Sequence, residues 1–196
     1  GSIPLEKEGV IWVGRCEPCK NPERFIELAE NLPGVSCTMV CPTANLPDLF
    51  NRIASRAASV PNLDFLPGVS FEETEALFAR HRLMVNTSTQ EGYPNTFVQA
   101  FKWGLPVVST LFDPDGLLES KKLGFLTGDC LDAMTARILS LLNDPVLWKE
   151  YSNRVRSFAL ENHDVTAIAR QLYELLQALR NPSSSSIHPS ENDGIH

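Results

Sequence analysis

Glu91 and Gly92 stand just ahead of a short apolar segment in "EGYPNTFVQAFKWGLPVVST", residues 91–110. Within it, Phe97, Ala100 and Phe101 recur at helical spacing, Leu105 lies just beyond, and Gly104 and Pro106 supply a stop. The pattern predicts a helix packed on a sheet, with Asn95 or Thr96 as its N-cap. The free N–H groups and dipole of such a helix start favour an anion. Gly92 lets a ligand approach the backbone closely, and Glu91 can accept hydrogen bonds from hydroxyls. A carboxylate beside an anion-binding helix start suits a ligand with a polyol on one side and phosphate on the other. Phosphorylated sugars and nucleotides fit that description.

The elements that must position these residues alternate along the chain. Apolar, β-branched runs predict strands at 9–14, 35–40, 63–68, 83–88, 106–110 and 124–128. Between them, helices are expected at 21–32, 46–60 and 70–81, followed by the helix of the opening stretch. Asn21 with Pro22 marks the first helix start, and Ser70 with Glu73 forms a capping box at the third. Three further helices are expected at about 131–143, 145–161 and 164–180. Strands separated by helices imply a parallel sheet covered on both faces. Right-handed crossovers make it an α/β, doubly wound, Rossmann-like domain of about six strands, which binds ligands at the carboxyl ends of its strands.

Composition narrows the function classes. The chain has 196 residues, a 43% hydrophobic share and a formal net charge of −7. The charge argues against a broad electrostatic grip on nucleic acid, so any anion must be held by a few local groups. No apolar run approaches the ~20 residues of a membrane span. Gly1-Ser2 reads as a tag-cleavage scar, and the near-immediate first strand reads as a domain cut from a longer protein. The polar, Ser-rich stretch from Asn181 to His196 is expected to be a disordered tail. The domain is therefore expected to span residues 3–180.

Several lookalikes point elsewhere. Cys16, Cys19, Cys37 and Cys41 have zinc-like spacing. Cys37 and Cys41, however, fall in an apparent strand, where residues four apart sit roughly 13 Å from each other. Two sulfurs that each lie about 2.3 Å from one zinc cannot be so far apart. An odd count of five cysteines fits free thiols and a reducing cytoplasm better than a disulfide framework. Asp113-Pro-Asp115-Gly116 resembles a metal-binding Asp-x-Asp but is also a strong turn sequence. His81 and His163 stand near helix ends, where a donor suits the last carbonyls, and Trp12, Trp103 and Trp148 read as packing residues. The first turn, "GRCEPCK", lacks the glycines of a dinucleotide fingerprint.

The opening stretch resembles the signature of family 4 (group 1) glycosyltransferases of the GT-B fold, in their carboxyl-terminal, donor-binding domain. The similarity continues through "VIWVGRCEPCKNPERFIELAENLP", "FLPGVSFEETEALFARHRLMVNTSTQEG" and "STLFDPDGLLESKKLGFLTGD", and covers roughly residues 9 to 180. By position, the resemblance implies that Arg15 and Lys20, after Gly14, hold the donor diphosphate, as two cations following the first strand can. Glu91 matches the first glutamate of the family's paired-glutamate pattern, which contacts hydroxyls of the transferred sugar. The backbone of Gly92, Tyr93, Pro94, Asn95 and Thr96 would meet the diphosphate, and Gly68 and Val69 would read the base. The second glutamate is replaced by Gln99, which keeps a hydrogen-bonding amide for a ribose but lacks the charge. Thr96 and Gln99 also have capping-box spacing, and the sequence leaves both readings open.

The resemblance further implies hexose transfer from a nucleotide sugar such as UDP- or GDP-hexose, with retention at the anomeric carbon and no metal. It implies an amino-terminal acceptor domain that is missing here, so that this fragment alone has little or no activity. The last helix would then lean on the missing half, leaving Ile168, Leu172, Leu175 and Leu176 partly exposed. A nucleotide-sugar epimerase-like domain and a degenerate nucleotide-binding module are the alternative readings.

Overall fold

Six short apolar runs form one parallel sheet in the computed structural model, which describes residues 7–163 and 165–180. The strands are β1 (Val10–Val13), β2 (Cys37–Val40), β3 (Leu63–Leu66), β4 (Leu83–Asn86), β5 (Val107–Ser109) and β6 (Gly124–Leu126). The helices α1 (Pro22–Glu30), α2 (Pro47–Ala57), α3 (Phe71–Arg80), α4 (Asn95–Lys102) and the one-turn α5 (Leu117–Ser120) carry the five crossovers. After β6 come α6 (Leu131–Asn143), α7 (Pro145–Asn162) and α8 (Val165–Arg180). The strand order is β3-β2-β1-β4-β5-β6. Val10 of β1 stands opposite Cys37 of β2 on one side and Leu83 of β4 on the other. Strand order reverses there, which opens a crevice beyond the carboxyl ends of β1 and β4.

Side chains of β1 alternate between two cores, as the period of a strand requires. Val10 and Trp12 join Phe25, Ile26, Met39, Ile53 and Ile138 under α1, α2 and α6. Ile11 joins Phe78, Met84, Phe97, Phe101 and Val155 under α3, α4 and α7. Phe97 and Phe101, at 0% and 1% exposure, fix α4 to the sheet. At about 1.5–3 kcal/mol for each buried large apolar side chain, these two hold the helix whose first turn faces the crevice. Gly104, in the left-handed region at φ 73°, ends α4 as its sequence position implied, with Leu105 N donating to the Ala100 carbonyl at 2.9 Å. At Gly124 a Cβ would come within 1.9 Å of the Val107 carbonyl oxygen, so β6 lies beside β5 only as glycine there.

Local details depart from expectation at several points. The strands are shorter by one or two residues at their ends, where the ladder frays. Asn21 does not cap α1 with its side chain; it takes a left-handed conformation (φ 48°) after a 3-10 turn at Pro18–Lys20. Neither Asn95 nor Thr96 caps α4. Pro94 occupies the N-cap position at φ −72° and ψ 122°, and no side chain caps the helix. The ring of Pro94 presets the extended entry, so Asn95 and Thr96 are already helical. The Thr96–Gln99 capping box is accordingly not formed. One turn, α5, was not anticipated; Asp113 carboxylate oxygens accept from Leu118 N at 2.8 Å and Glu119 N at 3.4 Å to start it. The Ser70–Glu73 box at α3 is present with both of its hydrogen bonds.

The expected tag scar and the expected tail from Asn181 lie outside the described residues. On α8, Ile168, Leu172, Leu175 and Leu176 are 46–59% exposed, as expected of a helix without a cover. No helix among the described residues is long and apolar enough to cross a membrane.

Candidate functional site

The crevice is an open cleft of about 410 Å3. Gly14, Arg15 and Lys20 line it from the β1 exit, Val69 and Thr74 from the β3–α3 side, and Glu91 and Tyr93 to Thr96 from the approach to α4. Three residues expected at the site do not line it: Gly68, Gly92 and Gln99. Gly68 lies beside the cleft wall, its Cβ position 3.9 Å from Pro42, which does line it. Gly92 is exposed, and a Cβ there would meet nothing within 4 Å. Gln99 sits one turn, about 6 Å, further along α4 than Asn95.

The two loops that meet at the cleft are stitched together by the end of β4. Thr87, fully buried, holds its Oγ1 2.8 Å from the Lys20 carbonyl and 2.9 Å from the Asn21 carbonyl, and accepts from Trp12 Nε1 at 2.8 Å. Thr89 N donates to the Cys19 carbonyl at 2.8 Å. These bonds fix the turn that carries Lys20. Its Nζ donates to Glu91 Oε1 at 2.6 Å, and Ser88 Oγ donates to the same oxygen at 2.6 Å. Both partners are largely buried, with side-chain exposures of 21% and 11%. Glu91 Oε2 has no partner among the described residues and is available to accept. Arg15, by contrast, is 68% exposed on the rim and pairs with Glu17 at 3.2 Å. So exposed a pair contributes little to stability and yields readily to a stronger anion.

Tyr93 closes the far side, with its hydroxyl 3.2 Å from His163 Nε2. Burial, and then the charge of Asp115, raise the Tyr93 pKa, so the phenol stays protonated. Burial lowers the His163 pKa. His81 lies elsewhere, buried under the sheet: its Nδ1 is 2.7 Å from the Leu77 carbonyl and its Nε2 2.9 Å from Thr38 Oγ1. Burial lowers its pKa too, which fits a neutral, structural imidazole. Cys37 and Cys41 bracket β2. Burial pushes the Cys37 thiol up to about 12 and raises that of Cys41 further. Trp12 is core, and Trp103 and Trp148 are half-buried with their indole N–H groups bonded to Glu75 and the Arg82 carbonyl.

A family model described as "Glycosyl transferases group 1" matches residues 7–144. The chain belongs to this family. Group 1 glycosyltransferases are enzymes, and the chain shares their Rossmann-like α/β fold. Against D-inositol 3-phosphate glycosyltransferase of Mycobacterium tuberculosis it is 26% identical over 173 residues, which cover 82% of this chain and 36% of that protein. It thus spans about a third of the length of this relative. Sucrose-phosphate synthase from Thermosynechococcus elongatus superposes with a TM-score of 0.75 at 19% identity, covering 92% of this chain and 47% of that one. A point mutant of S. aureus TarM, solved with fondaparinux, α-GlcNAc-glycerol and UDP, gives a TM-score of 0.71 at 22% identity over 89% of this chain and 37% of that one. Both likenesses establish the shared fold.

Sequence reasoning singled out Lys20 and Glu91 separately but not their pairing. It also missed Thr87, Ser88 and Thr74, and the contact of His163 with Tyr93. The polar run "NTSTQEG" at a strand's carboxyl end was the available signal for Thr87 and Ser88. Nothing in the sequence ties His163 to a residue 70 positions away.

Proposed function

We propose that the chain is the nucleotide-sugar donor-binding domain of a retaining hexosyltransferase. The observation that carries this reading is the Lys20–Glu91 pair at the cleft beside the start of α4, which no side chain caps. A diphosphate would sit over that first turn and share Lys20 with Glu91, while Arg15 swings in from the rim. Charge grows on the leaving diphosphate in the transition state, so Arg15, Lys20 and the helix N-terminus stabilise that state more than the ground state. These groups supply the neutralisation, so the reading requires no metal. Glu91 Oε2 would accept from sugar hydroxyls and fix the sugar's orientation. Gly92 is required neither by backbone conformation nor by internal packing, and since it does not line the cleft it would meet the donor only if the ligand extends over the loop outside it. Val69, with Gly68 behind it, would border the base, and Gln99 would reach the ribose only if the ligand extends along α4.

In this reading the acceptor is bound by another domain of the same protein, seated in part on the exposed apolar face of α8. The fragment alone then has little or no transferase activity. Five cysteines without disulfides fit the reducing cytoplasm. UDP is the first nucleotide to test, since the TarM mutant was solved with it. Titration of UDP, GDP and ADP, each with and without hexose, against thermal stability tests the proposal. A rise in melting temperature with one nucleotide series, abolished by Lys20→Ala and unaffected by a chelator, supports it. No rise with any of them at millimolar concentration refutes it.

A further inference from the structure

We infer that His163 is a positioning residue for the cleft: from the end of α7 it anchors Tyr93 and so sets the entry to α4. The inference rests on the nucleotide-binding reading only for its functional consequence. The segment from Thr89 to Pro94 has no regular structure and is held at three points. At its start, Thr89 N donates to the Cys19 carbonyl; in the middle, Glu91 engages Lys20 and Ser88; near its end, Tyr93 meets His163. The third of these points comes from outside the two cleft loops. Among the described residues the Tyr93 hydroxyl has no other hydrogen-bond partner, and Gly92 beside it has no side chain to restrain the backbone.

His163 is itself fixed. It ends α7, with its N–H donating to the Ala159 carbonyl at 2.9 Å. Its ring packs against Tyr93 at 5.6 Å between centroids and edge-on against Phe158 at 5.7 Å. Phe158 meets Phe101 of α4 edge-on at 6.0 Å, and Phe101 meets Phe97 at 6.0 Å. These rings join the last turn of α7 to both the body of α4 and the loop leading into it. Tyr93 immediately precedes Pro94, the N-cap, so its placement governs where the first N–H groups of α4 point. A hydrogen bond between neutral side chains and one ring contact would thus hold the first turn in line with Lys20.

The test uses Tyr93→Phe, His163→Phe, which keeps a ring, and His163→Gln, whose amide reaches the position of Nε2. Amide 1H–15N shifts of Gly92, Tyr93, Asn95 and Thr96 are read without ligand, and the dissociation constant of UDP is measured in parallel. Tyr93→Phe and His163→Phe are expected to move those amides and to weaken UDP by about two- to threefold each, the worth of one solvent-exposed neutral hydrogen bond. The double variant is expected to be no worse than either single one, and His163→Gln to restore most of the loss. Loop amides that stay put in both phenylalanine variants overturn the inference, as do additive losses in the double variant. If UDP does not bind the wild-type protein, the nucleotide reading fails while the amide shifts still decide whether His163 positions the loop.

Discussion

Replacing Thr87 by Val removes one hydroxyl and keeps the shape of the side chain. In the native structure that hydroxyl accepts from Trp12 Nε1 and is shared between the carbonyls of Lys20 and Asn21. Trp12 is 2% exposed, so its N–H would be left buried without an acceptor, at a cost of about 1–3 kcal/mol. The two carbonyls lose a shared donor, worth about 1 kcal/mol more. The sum, about 2–4 kcal/mol, is a large fraction of a typical domain's stability. At roughly 2–4 °C per kcal/mol for a chain of this size, the melting temperature falls by about 4–16 °C. Lys20 would also lose one anchor of its own backbone, with the Thr89–Cys19 bond remaining. If UDP binds as proposed, its affinity at a temperature where the variant is folded should drop by up to about tenfold, the worth of one hydrogen bond. Calorimetry of unfolding and isothermal titration with UDP read both effects, and Thr87→Ser, which retains the hydroxyl, should recover most of each. A Thr87→Val protein that melts within about 1 °C of wild type and binds UDP equally would refute the claim that this hydroxyl holds the Lys20 turn.

Other perturbations test the frame around the cleft. Gly124→Ala forces a Cβ to within 1.9 Å of the Val107 carbonyl oxygen, and neighbouring backbone cannot yield, so urea unfolding should show a loss above about 2 kcal/mol. Ser70→Ala breaks the capping box of α3 and should cost about 1 kcal/mol by the same assay, while Ser70→Asp retains most of it. Lys7, whose Nζ donates to the Trp103 carbonyl, has its pKa lowered from 10.5 to about 8, by burial first and by Arg156 second. A lowered folded pKa means the folded state binds fewer protons than the unfolded chain between those values. Its contribution to stability therefore rises with pH across that window. The difference in unfolding free energy between wild type and Lys7→Met should move in favour of wild type as pH rises through it, and a flat difference would contradict the assignment.

The parts of this fold that were legible in the sequence depend on local pattern. Runs such as "VIWV" and "LMVN" are apolar on both faces because both faces are covered, and they became β1 and β4. Gly104 and the Ser70–Glu73 pair act within a few residues of themselves, and both did what their positions implied. The start of α4 was misread because two polar residues after a proline look like caps, while the ring of Pro94 had already set the backbone. At four residues, α5 is too short to show a period. What holds the site together lies beyond any local pattern. The bonds from Thr87 to the Asn21 carbonyl and to Trp12 span 66 and 75 residues, and the Lys20–Glu91 and Tyr93–His163 contacts span 71 and 70. The family resemblance named Lys20, and residue type with that resemblance named Glu91, while only the parallel pairing of β1 with β4 brings them together.

A crystal structure of the protein soaked with UDP puts the central claim to the most direct test. The diphosphate is expected over the first turn of α4, within hydrogen-bond distance of Lys20 Nζ and of the N–H groups of Asn95 or Thr96, with Arg15 drawn in from the rim. UDP bound elsewhere, or a diphosphate in the cleft that leaves Lys20 paired only with Glu91 and touches no N–H of α4, would contradict it.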